Sequence, residues 1–256
     1  MFHFFKMAVT FSVDNGIAQL VVNRPPVNAL DAAGWWAIAQ ALQSLGQDPA
    51  VRVVVLAADG RGFNAGVDIK ALQRQGKSAL IEINRACAAA FAAVYDCPVP
   101  VIAAVHGYCL GGGIGLCGNA DLIVAASDAT FGLPEVDRGA LGAATHMARL
   151  VPEKRMRQLV YTSASVTAAE LLQYGSVYRV VPAAELRHAA LQVASEIAAK
   201  NPTVIRAAKQ SLSGIDPIDV KRSYRYEQGF TFELTVAGVA DEARNAFVEK
   251  RDPTPK

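Results

Sequence analysis

Cysteine is scarce in this sequence, and its positions do not form a metal-binding or redox motif. The four cysteines are Cys87, Cys97, Cys109 and Cys117, and no two of them form a CxxC pair. His106 stands three residues before Cys109, but two such residues are too few ligands for zinc. We therefore expect no metal site and four buried free thiols, in a protein of the reducing cytoplasm.

An excess of one charge and an unbroken apolar run are also missing. The 25 basic and 23 acidic residues leave a net charge of +2, so no overall field draws the chain to nucleic acid or to an anionic membrane. Residues 99–118 are uncharged over a length that could span a bilayer, but Pro100, His106 and six glycines interrupt them. We expect a strand, a turn and a helix there, and no nucleic-acid or membrane partner.

Signals for export and two common catalytic motifs are absent as well. Residues 1–16 have a broken apolar run and an early acidic residue, Asp14, without the long apolar region and cleavage site of a signal peptide. Met7 is an alternative to Met1 as the native start. No Gly-x-Ser-x-Gly elbow and no P-loop occur, which argues against a serine hydrolase and a nucleoside triphosphatase.

The spacing of apolar residues predicts an α/β fold. Asp14-Asn15-Gly16 predicts a tight hairpin turn between the first two strands, and Asp31 a helix N-cap. Further helices are expected around residues 69–74 and 78–95, and the chain becomes mainly helical after Leu141. Five short runs are the predicted strands: residues 8–13, 17–22, 51–56, 100–105 and 122–126.

Two glycine-rich segments each lead into a predicted helix. Residues 60–70 (GRGFNAGVDIK) and 106–116 (HGYCLGGGIGL) can point free helix N-terminal amides at an anion. The first could equally be a surface loop capped by Asp68. The second overlaps a GxGxxG pattern at residues 113–118, with Glu135 about 20 residues beyond it, which leaves a dinucleotide-binding oxidoreductase open.

A third segment, residues 131–142 (FGLPEVDRGALG), places Glu135 directly after a proline and among apolar residues. Such a carboxyl group is readily desolvated, which would tune it as an acid or base. The alternative is an ordinary ion pair with Arg138, three residues further on.

With two more segments, these three resemble the crotonase superfamily, the enoyl-CoA hydratase/isomerase family, along nearly the whole chain. Residues 24–30 (RPPVNAL) are similar to its N-terminal signature, and residues 246–253 (AFVEKRDP) to its usual C-terminus. The resemblance implies an α/β fold, a crotonase-like spiral of repeated ββα units with a C-terminal helical extension. It also implies an enzyme that acts on an acyl-CoA thioester. We expect residues 1–195 to form the spiral core with the oxyanion hole and the CoA site, and residues 196–256 a helical oligomerisation region that does not fold independently.

The resemblance also implies roles for individual residues. The backbone amides of Val67 and Gly112 would form an oxyanion hole for an enolate or tetrahedral oxyanion, and Glu135 would be the catalytic acid or base. Coenzyme A is part of the substrate, so no separate cofactor is implied. Substrate or CoA binding is implied for Arg24, Ala65, Asp68, Ile69, Lys70, Gly111 and Gly115.

One position departs from the hydratases of the family. They carry a second glutamate where this chain has Gly115, and addition of water to a double bond usually employs both carboxylates. We therefore doubt simple enoyl-CoA hydration, and we expect extra room at Gly115 for a bulky acyl group.

A narrower resemblance, over residues 60–70, 131–152 and 224–247, is to the ring-opening CoA-thioester hydrolases of bacterial cholesterol degradation. It implies hydrolytic C–C cleavage in a bicyclic, steroid-derived β-diketone CoA thioester. Asp241 and Glu233 are candidates for a further carboxylate, although solvated or interhelical charges are the ordinary interpretation.

Three alternatives stay open: a hydratase or isomerase of another acyl-CoA, a dinucleotide-binding oxidoreductase, and an inactive binding protein of the crotonase fold. The apolar C-terminal helices and the resemblance together predict a homotrimer or a dimer of trimers.

Overall fold

The computed structural model describes residues 8–76 and 78–252. Met1 and Met7, the two alternative start residues, lie outside this part of the chain, and so does Pro253 of the C-terminal motif. The strands are β1 (Val9–Asp14), β2 (Ile17–Val22), β3 (Val53–Ala58), β4 (Val101–Val105), β5 (Tyr108–Leu110), β6 (Leu122–Ala126), β7 (Thr130–Gly132), β8 (Ser165–Thr167) and β9 (Arg179–Val181).

Helices alternate with these strands and then dominate the C-terminal part of the chain. Two short 3-10 helices cover Val136–Arg138 and Ala183–Glu185. The α-helices are α1 (Ala32–Gln47), α2 (Ile69–Gln75), α3 (Ala79–Tyr95), α4 (Gly112–Cys117), α5 (Ala144–Met147), α6 (Glu153–Thr162), α7 (Ala168–Gln173), α8 (Leu186–Ala198), α9 (Pro202–Gly214), α10 (Val220–Val236) and α11 (Val239–Glu249).

The predicted N-terminal hairpin is present. Strands β1 and β2 pair antiparallel, and Asn15 and Gly16 between them both have positive φ, at 49° and 80°. Two positive φ angles are typical of the tight turn whose twist matches that of a hairpin. The carboxylate of Asp31 accepts a hydrogen bond from the Gly34 amide and caps α1, as the sequence predicts.

Within the described residues the main sheet has six strands in the order β1-β2-β3-β4-β6-β9, and all pairs after the hairpin are parallel. Strand β3 is buried along its whole length. Its alternate residues Val53 and Val55 pack with α8, whereas Val54 and Leu56 face the larger core. This two-sided burial explains why the predicted strand is almost continuously apolar.

Strand β3 begins two residues later than the sequence pattern indicates. The amides of Ala50 and Val51 donate to the side chain and the carbonyl of Asp48, so a turn holds the start of the apolar run.

A second, smaller sheet has the order β5-β7-β8. Strand β4 lies in the large sheet and β5 in the small one, and β6 and β7 repeat this pair after α4. Each turn of the chain therefore adds one strand to each sheet, which is the expected spiral. A bridge between Asn64 and Cys109 ties the loop after β3 to the small sheet.

The C-terminal region is joined to the core by buried polar contacts. The ammonium group of Lys209, 6% exposed, lies 2.8 Å from both carboxylate oxygens of Asp121. Tyr95 of α3 donates to the carbonyl of Ser213. These contacts fix α9 on the core, and residues of α10 and α11 that follow it line a cavity described below.

Candidate active site

A cavity of about 550 Å³ lies where the glycine-rich segments, α3, the segment after β7 and the C-terminal helices meet. Most of the side chains around it are apolar, as is usual for a site that holds a small organic group. Glu135 and Asn84 are among the exceptions, and both line the cavity.

Two asparagines shape the first glycine-rich segment. The Asn64 side chain accepts from the Gly66 amide and donates to the carbonyl of Asn28. The Asn28 side chain in turn donates to the carbonyls of Asp59 and Gly62. Because both asparagines are buried and their amide groups are used in this way, the loop between β3 and α2 has one defined shape.

The Val67 amide lies on the cavity side of this loop. The carbonyl of Gly66 and the amide of Asp68 both bond to Leu30, so the N–H of Val67 between them points the other way. No described residue accepts a hydrogen bond from Val67 N.

The Gly112 amide lies close to this point. A Cβ atom added to Gly66 would be 3.2 Å from Gly112 N, which means that the two glycine turns are in contact. Gly112 begins α4, so its N–H has no partner within the helix, and none occurs elsewhere in the described part of the chain. Trp35 packs directly over Gly112 and leaves no room for a side chain there. The two predicted amides are thus neighbours and both are available.

Glu135 is the acidic group beside these amides. Its Oε1 packs against Gly111, which has a φ of 55° and no space for a Cβ atom. Its Oε2 is buried and has no hydrogen-bond partner among the described residues. Burial, and secondarily the negative charge of Glu227, raise the pKa of Glu135 to about 8.

The predicted alternative for Glu135, an ion pair with Arg138, is not what the structure shows. The Arg138 guanidinium instead lies over the Phe247 ring, 3.6 Å from its centroid. Arg138 therefore anchors the 3-10 helix after Glu135 to α11, and the carboxyl group stays unpaired.

The sequence predicted Glu233 or Asp241 as a further carboxylate at the site. The carboxylate whose charge raises the pKa of Glu135 is instead Glu227. Glu233 is exposed, and neither it nor Asp241 lines the cavity. Glu227 accepts from the amides of Ala144 and Thr145, and burial raises its pKa. It acts on Glu135 through its charge and does not border the cavity itself.

The space expected beside Gly115 is filled. The ring of Phe91 lies where a Cβ atom of residue 115 would be, and Gly115 does not line the cavity. A substrate therefore cannot use the room left by the missing glutamate, because α3 supplies an aromatic ring in its place. This corrects the expectation of a larger acyl pocket at Gly115.

Phe91 belongs to a buried aromatic cluster behind the site. Its ring centroid is 5.5 Å from that of Trp35, 5.2 Å from His146 and 5.0 Å from Tyr224. His146 bonds to Asn119 through Nδ1, and burial lowers its pKa to about 3. His146 does not border the cavity and is a packed, hydrogen-bonded histidine.

Six of the seven residues predicted to bind substrate or CoA line the cavity, with Arg24 and Lys70 at its exposed rim, and Gly115 does not. The Arg24 side chain is 42% exposed and is paired with Asp31 at 3.2 Å. Asp68 caps α2 by accepting from the Ala71 amide. Lining the cavity with them are Ala65, Ile69, Lys70 and Gly111.

Sequence reasoning missed the side chains that α3 and the C-terminal helices bring to the cavity. These are Leu80, Ile83, Asn84, Cys87, Phe91, Tyr224, Thr231, Arg244 and Phe247. Those of α3 recur at intervals of three and four residues, which indicates that one face of the helix is buried. The same spacing is typical of any helix that packs on a core, so it does not indicate a cavity. The region after residue 196 thus also closes the site.

Comparison with known proteins identifies the fold. The model of the enoyl-CoA hydratase/isomerase family matches residues 12–256. The chain belongs to this family. Its expected crotonase fold is confirmed by carnitinyl-CoA hydratase from Mycobacterium avium, which is similar with a TM-score of 0.87 and 32% identity over 98% of this chain and 99% of that one.

Two family relatives are much more similar in sequence. Both are named (7aS)-7a-methyl-1,5-dioxo-2,3,5,6,7,7a-hexahydro-1H-indene-carboxyl-CoA hydrolase. The one from Rhodococcus jostii is 59% identical over 249 residues, covering 96% of each chain. The one from Mycobacterium tuberculosis is 60% identical over 236 residues, covering 92% of this chain and 96% of its own.

The structure does not support the alternative that residues 113–118 bind a dinucleotide. A side chain at Gly113 would meet Asn64, one at Gly115 would meet Phe91, and one at Gly118 would meet His146. The GxGxxG glycines therefore allow close packing of α4 within the protein and do not face a bound phosphate.

Two other findings concern the whole described chain. The four cysteines are buried free thiols, as predicted. Within residues 8–76 and 78–252, no helix combines the length and apolar character needed to cross a membrane. Residues 99–118 instead contain β4, β5 and α4.

Proposed function

We propose that the protein is a hydrolase that opens a ring of a bicyclic, steroid-derived dione CoA thioester by cleaving a C–C bond. The observation that carries this proposal is the unpaired Oε2 of Glu135, buried beside two free backbone amides in a largely apolar cavity. The names of the two relatives at 59% and 60% identity support the same chemistry.

In this proposal the thioester carbonyl oxygen lies between the amides of Val67 and Gly112. Glu135 accepts a proton from water, and the water oxygen bonds to the carbon of a ring ketone that lies β to the thioester carbonyl. The bond from this ketone carbon to the ring carbon beside the thioester then breaks, and the ketone carbon becomes the new carboxyl group. The electron pair of the broken bond moves to the thioester oxygen, where the two amides hold the resulting enolate.

Glu135 then donates this proton to a carbon of the enolate, which completes the reaction. The net change is one molecule of water added across one C–C bond, with a new carboxyl group formed and the thioester retained. A single carboxyl group is enough for this sequence, because it acts first as a base and then as an acid. A pKa near 8 suits a group that must both accept and release a proton at neutral pH.

The same geometry disfavours hydration of an enoyl-CoA. Hydration would place a second carboxylate at Gly115, and Phe91 occupies that space. The protein would therefore hydrate a substrate such as crotonyl-CoA poorly.

The rim of the cavity fits the CoA part of the substrate. We propose that Arg24 and Lys70 lie beside its phosphates, and that Ala65, Asp68 and Ile69 flank its adenine and pantetheine portions. Gly111 allows the carboxyl group of Glu135 to approach the thioester. The reaction then needs no metal and no redox cofactor, since the amides supply the stabilisation of charge.

We further propose a cytoplasmic homotrimer or dimer of trimers, in which residues 1–195 form the catalytic core and residues 196–256 also make subunit contacts. Four free thiols fit a reducing compartment. Apolar side chains are exposed along α9 to α11 and would be covered by another subunit: Val204, Leu212, Ile215, Tyr226, Phe230, Val236 and Val239.

The Glu135→Gln variant tests the proposal. Removal of the base should lower turnover of the bicyclic dione thioester by about 10²- to 10⁴-fold and leave its affinity nearly unchanged. Single-turnover kinetics and calorimetric binding measure the two effects separately. Ring opening at the rate of the unmodified protein would show that Glu135 has no such role.

A further inference from the structure

One face of α3 lines the cavity with a stripe of side chains. Leu80, Ile83, Asn84, Cys87 and Phe91 all border the cavity, and their spacing of three and four residues places them on one side of the helix. Four of the five are apolar. Asn84 is therefore the one polar side chain among these five, and the other four would contact the hydrocarbon part of a ligand.

The side-chain amide of Asn84 lacks a protein partner. Asn84 is 8% exposed, and its Nδ2 has no hydrogen-bond partner within residues 8–76 and 78–252. Leaving such a donor buried and unsatisfied destabilises the folded protein. Asparagine in the middle of a helix also costs more than alanine or leucine would. Both costs are offset when a ligand atom accepts the hydrogen bond.

Neighbouring groups hold Asn84 in place without using this donor. Gln228 of α10 donates through Nε2 to the backbone carbonyl of Asn84 at 2.8 Å. Arg225 donates to the Oε1 of Gln228 at 2.6 Å. The Gln228 amide is thus occupied at both ends, and it fixes α3 against α10 at residue 84.

The position of Asn84 along α3 places it away from the thioester end of the cavity. Phe91 packs on Trp35, and Trp35 covers Gly112, whose amide is one of the two free donors. Asn84 precedes Phe91 by seven residues, which is about 10 Å along a helix. A fused-ring acyl group whose carboxyl carbon is at the two amides would extend along this stripe toward Asn84.

We propose that Asn84 is a specificity-determining residue whose side-chain amide donates a hydrogen bond to a ring ketone oxygen of the acyl group, remote from the thioester. This inference deepens the proposed function and rests on it. A ketone accepts this hydrogen bond and does not donate, so it matches the free N–H. An acyl group that has only hydrocarbon at this point leaves the donor unpaired, and a site built in this way discriminates against such an analogue.

The experiment uses two CoA thioesters that differ in one ketone. Calorimetry measures binding of 4-oxocyclohexane-carboxyl-CoA and of cyclohexane-carboxyl-CoA, neither of which carries a ketone placed for ring opening. The unmodified protein should bind the ketone probe about tenfold more tightly, since a hydrogen bond to an otherwise unpaired donor is worth about that factor. Asn84→Leu, which keeps the size of the side chain and removes the donor, should bring the ratio to about one.

Two further variants control this result. Cys87→Ala changes the same stripe one turn away and should keep the tenfold ratio, whatever its effect on both probes together. Asn84→Asp replaces the donor by an acceptor and should lower the ratio to one or below, so it carries the test even where Asn84→Leu does not fold. A ratio near one in the unmodified protein, or an unchanged ratio in a folded Asn84→Leu or Asn84→Asp variant, would overturn the inference. Because these probes are bound without turnover, failure of ring opening would count against the proposed reaction and not against this subsite.

Discussion

At the scale of single residues, the site depends on the carboxyl group of Glu135, which is buried away from solvent. Glu135 contacts Gly111 and lines the largely apolar cavity, and Glu227, the acidic group whose charge raises its pKa, accepts hydrogen bonds from the amides of Ala144 and Thr145. The pKa of Glu135 is raised to about 8 mainly because ionisation in this place loses the solvation by water.

The first prediction is a pH profile set by this group. As a base, Glu135 must be ionised in the free enzyme, so kcat/KM should rise about tenfold per pH unit up to about pH 8 and then level off. Glu227→Gln removes the nearby negative charge and should move the inflection to lower pH. Steady-state kinetics between pH 5.5 and 9.5 on both proteins measure it. A profile that is flat across this range, or an inflection unmoved in Glu227→Gln, would argue against Glu135 as the base.

The second prediction concerns stability. The folded-state pKa of Glu135, about 8, lies above its ordinary value of 4.5. The folded protein therefore holds this proton more tightly than the unfolded chain, and the associated stability is complete below pH 4.5 and lost as the pH rises to 8. Glu135→Gln stays neutral, so its Tm should match the unmodified protein near pH 4.5 and exceed it by roughly 10 °C or more near pH 9. Thermal melts across this range test it, and a difference in Tm that is constant with pH contradicts the argument.

At the scale of elements, the packing of α3 against α4 decides what fills the place of the missing carboxylate. Phe91 of α3 lies over Gly115 of α4, and its ring also contacts Trp35, His146 and Tyr224. The glycine and the phenylalanine are therefore one packing unit, and Gly115 is better explained by this contact than by room for substrate.

The third prediction follows from this contact. Gly115→Ala should destabilise the fold by about 1–3 kcal/mol, because the added methyl group meets the Phe91 ring in a closely packed core. Gly115→Ala combined with Phe91→Leu should recover part of the loss. Gly229→Ala in α10 is the matched control, since nothing lies within 4 Å of the added atom, and it should be neutral or slightly stabilising. Denaturant titration measures all three, and a neutral Gly115→Ala would show that Phe91 moves aside easily.

Different elements of the site differ in how far the sequence predicts them. The two glycine turns and Glu135 could be singled out from local residue types, such as glycines before a helix or a carboxyl group behind a proline, but the family resemblance was needed to choose their roles over a surface loop and an ion pair. Asn84, Phe91 and Tyr224 could not be singled out, because a helix face that lines a cavity has the same spacing as one that packs in a core. Gly115 was misjudged for the same reason: a missing side chain indicates space only when no other element fills it.

At the scale of the whole molecule, the α/β class followed from the pattern of strands and turns and the crotonase spiral from the family resemblance, whereas neither predicted the role of the C-terminal helices at the cavity. Their apolar residues predict a buried face, yet Tyr224 and Phe247 face the cavity while Val204 and Ile215 remain exposed. Periodicity alone does not separate these two uses of an apolar face.

The fourth prediction is that the exposed apolar residues of α9 to α11 are covered by other subunits. Light scattering should give the mass of three or six chains, and Leu212→Glu should lower it, because a charge would be buried at the contact. Lys154→Gln, at an exposed position of α6, changes the net charge by the same one unit and controls for this effect. A monomer of 27.1 kDa at micromolar concentration would contradict this assembly.

The central claim is that a single buried glutamate directs one water molecule to cleave a ring C–C bond while the thioester stays intact. The most direct test is turnover of the bicyclic dione CoA thioester in H₂¹⁸O, followed by mass spectrometry and NMR of the product. We expect a product that still carries CoA, has one ring fewer and holds one ¹⁸O atom in a new carboxyl group, and we expect Glu135→Gln to lose this product. Release of free CoA, or addition of labelled water with both rings intact, would contradict this claim.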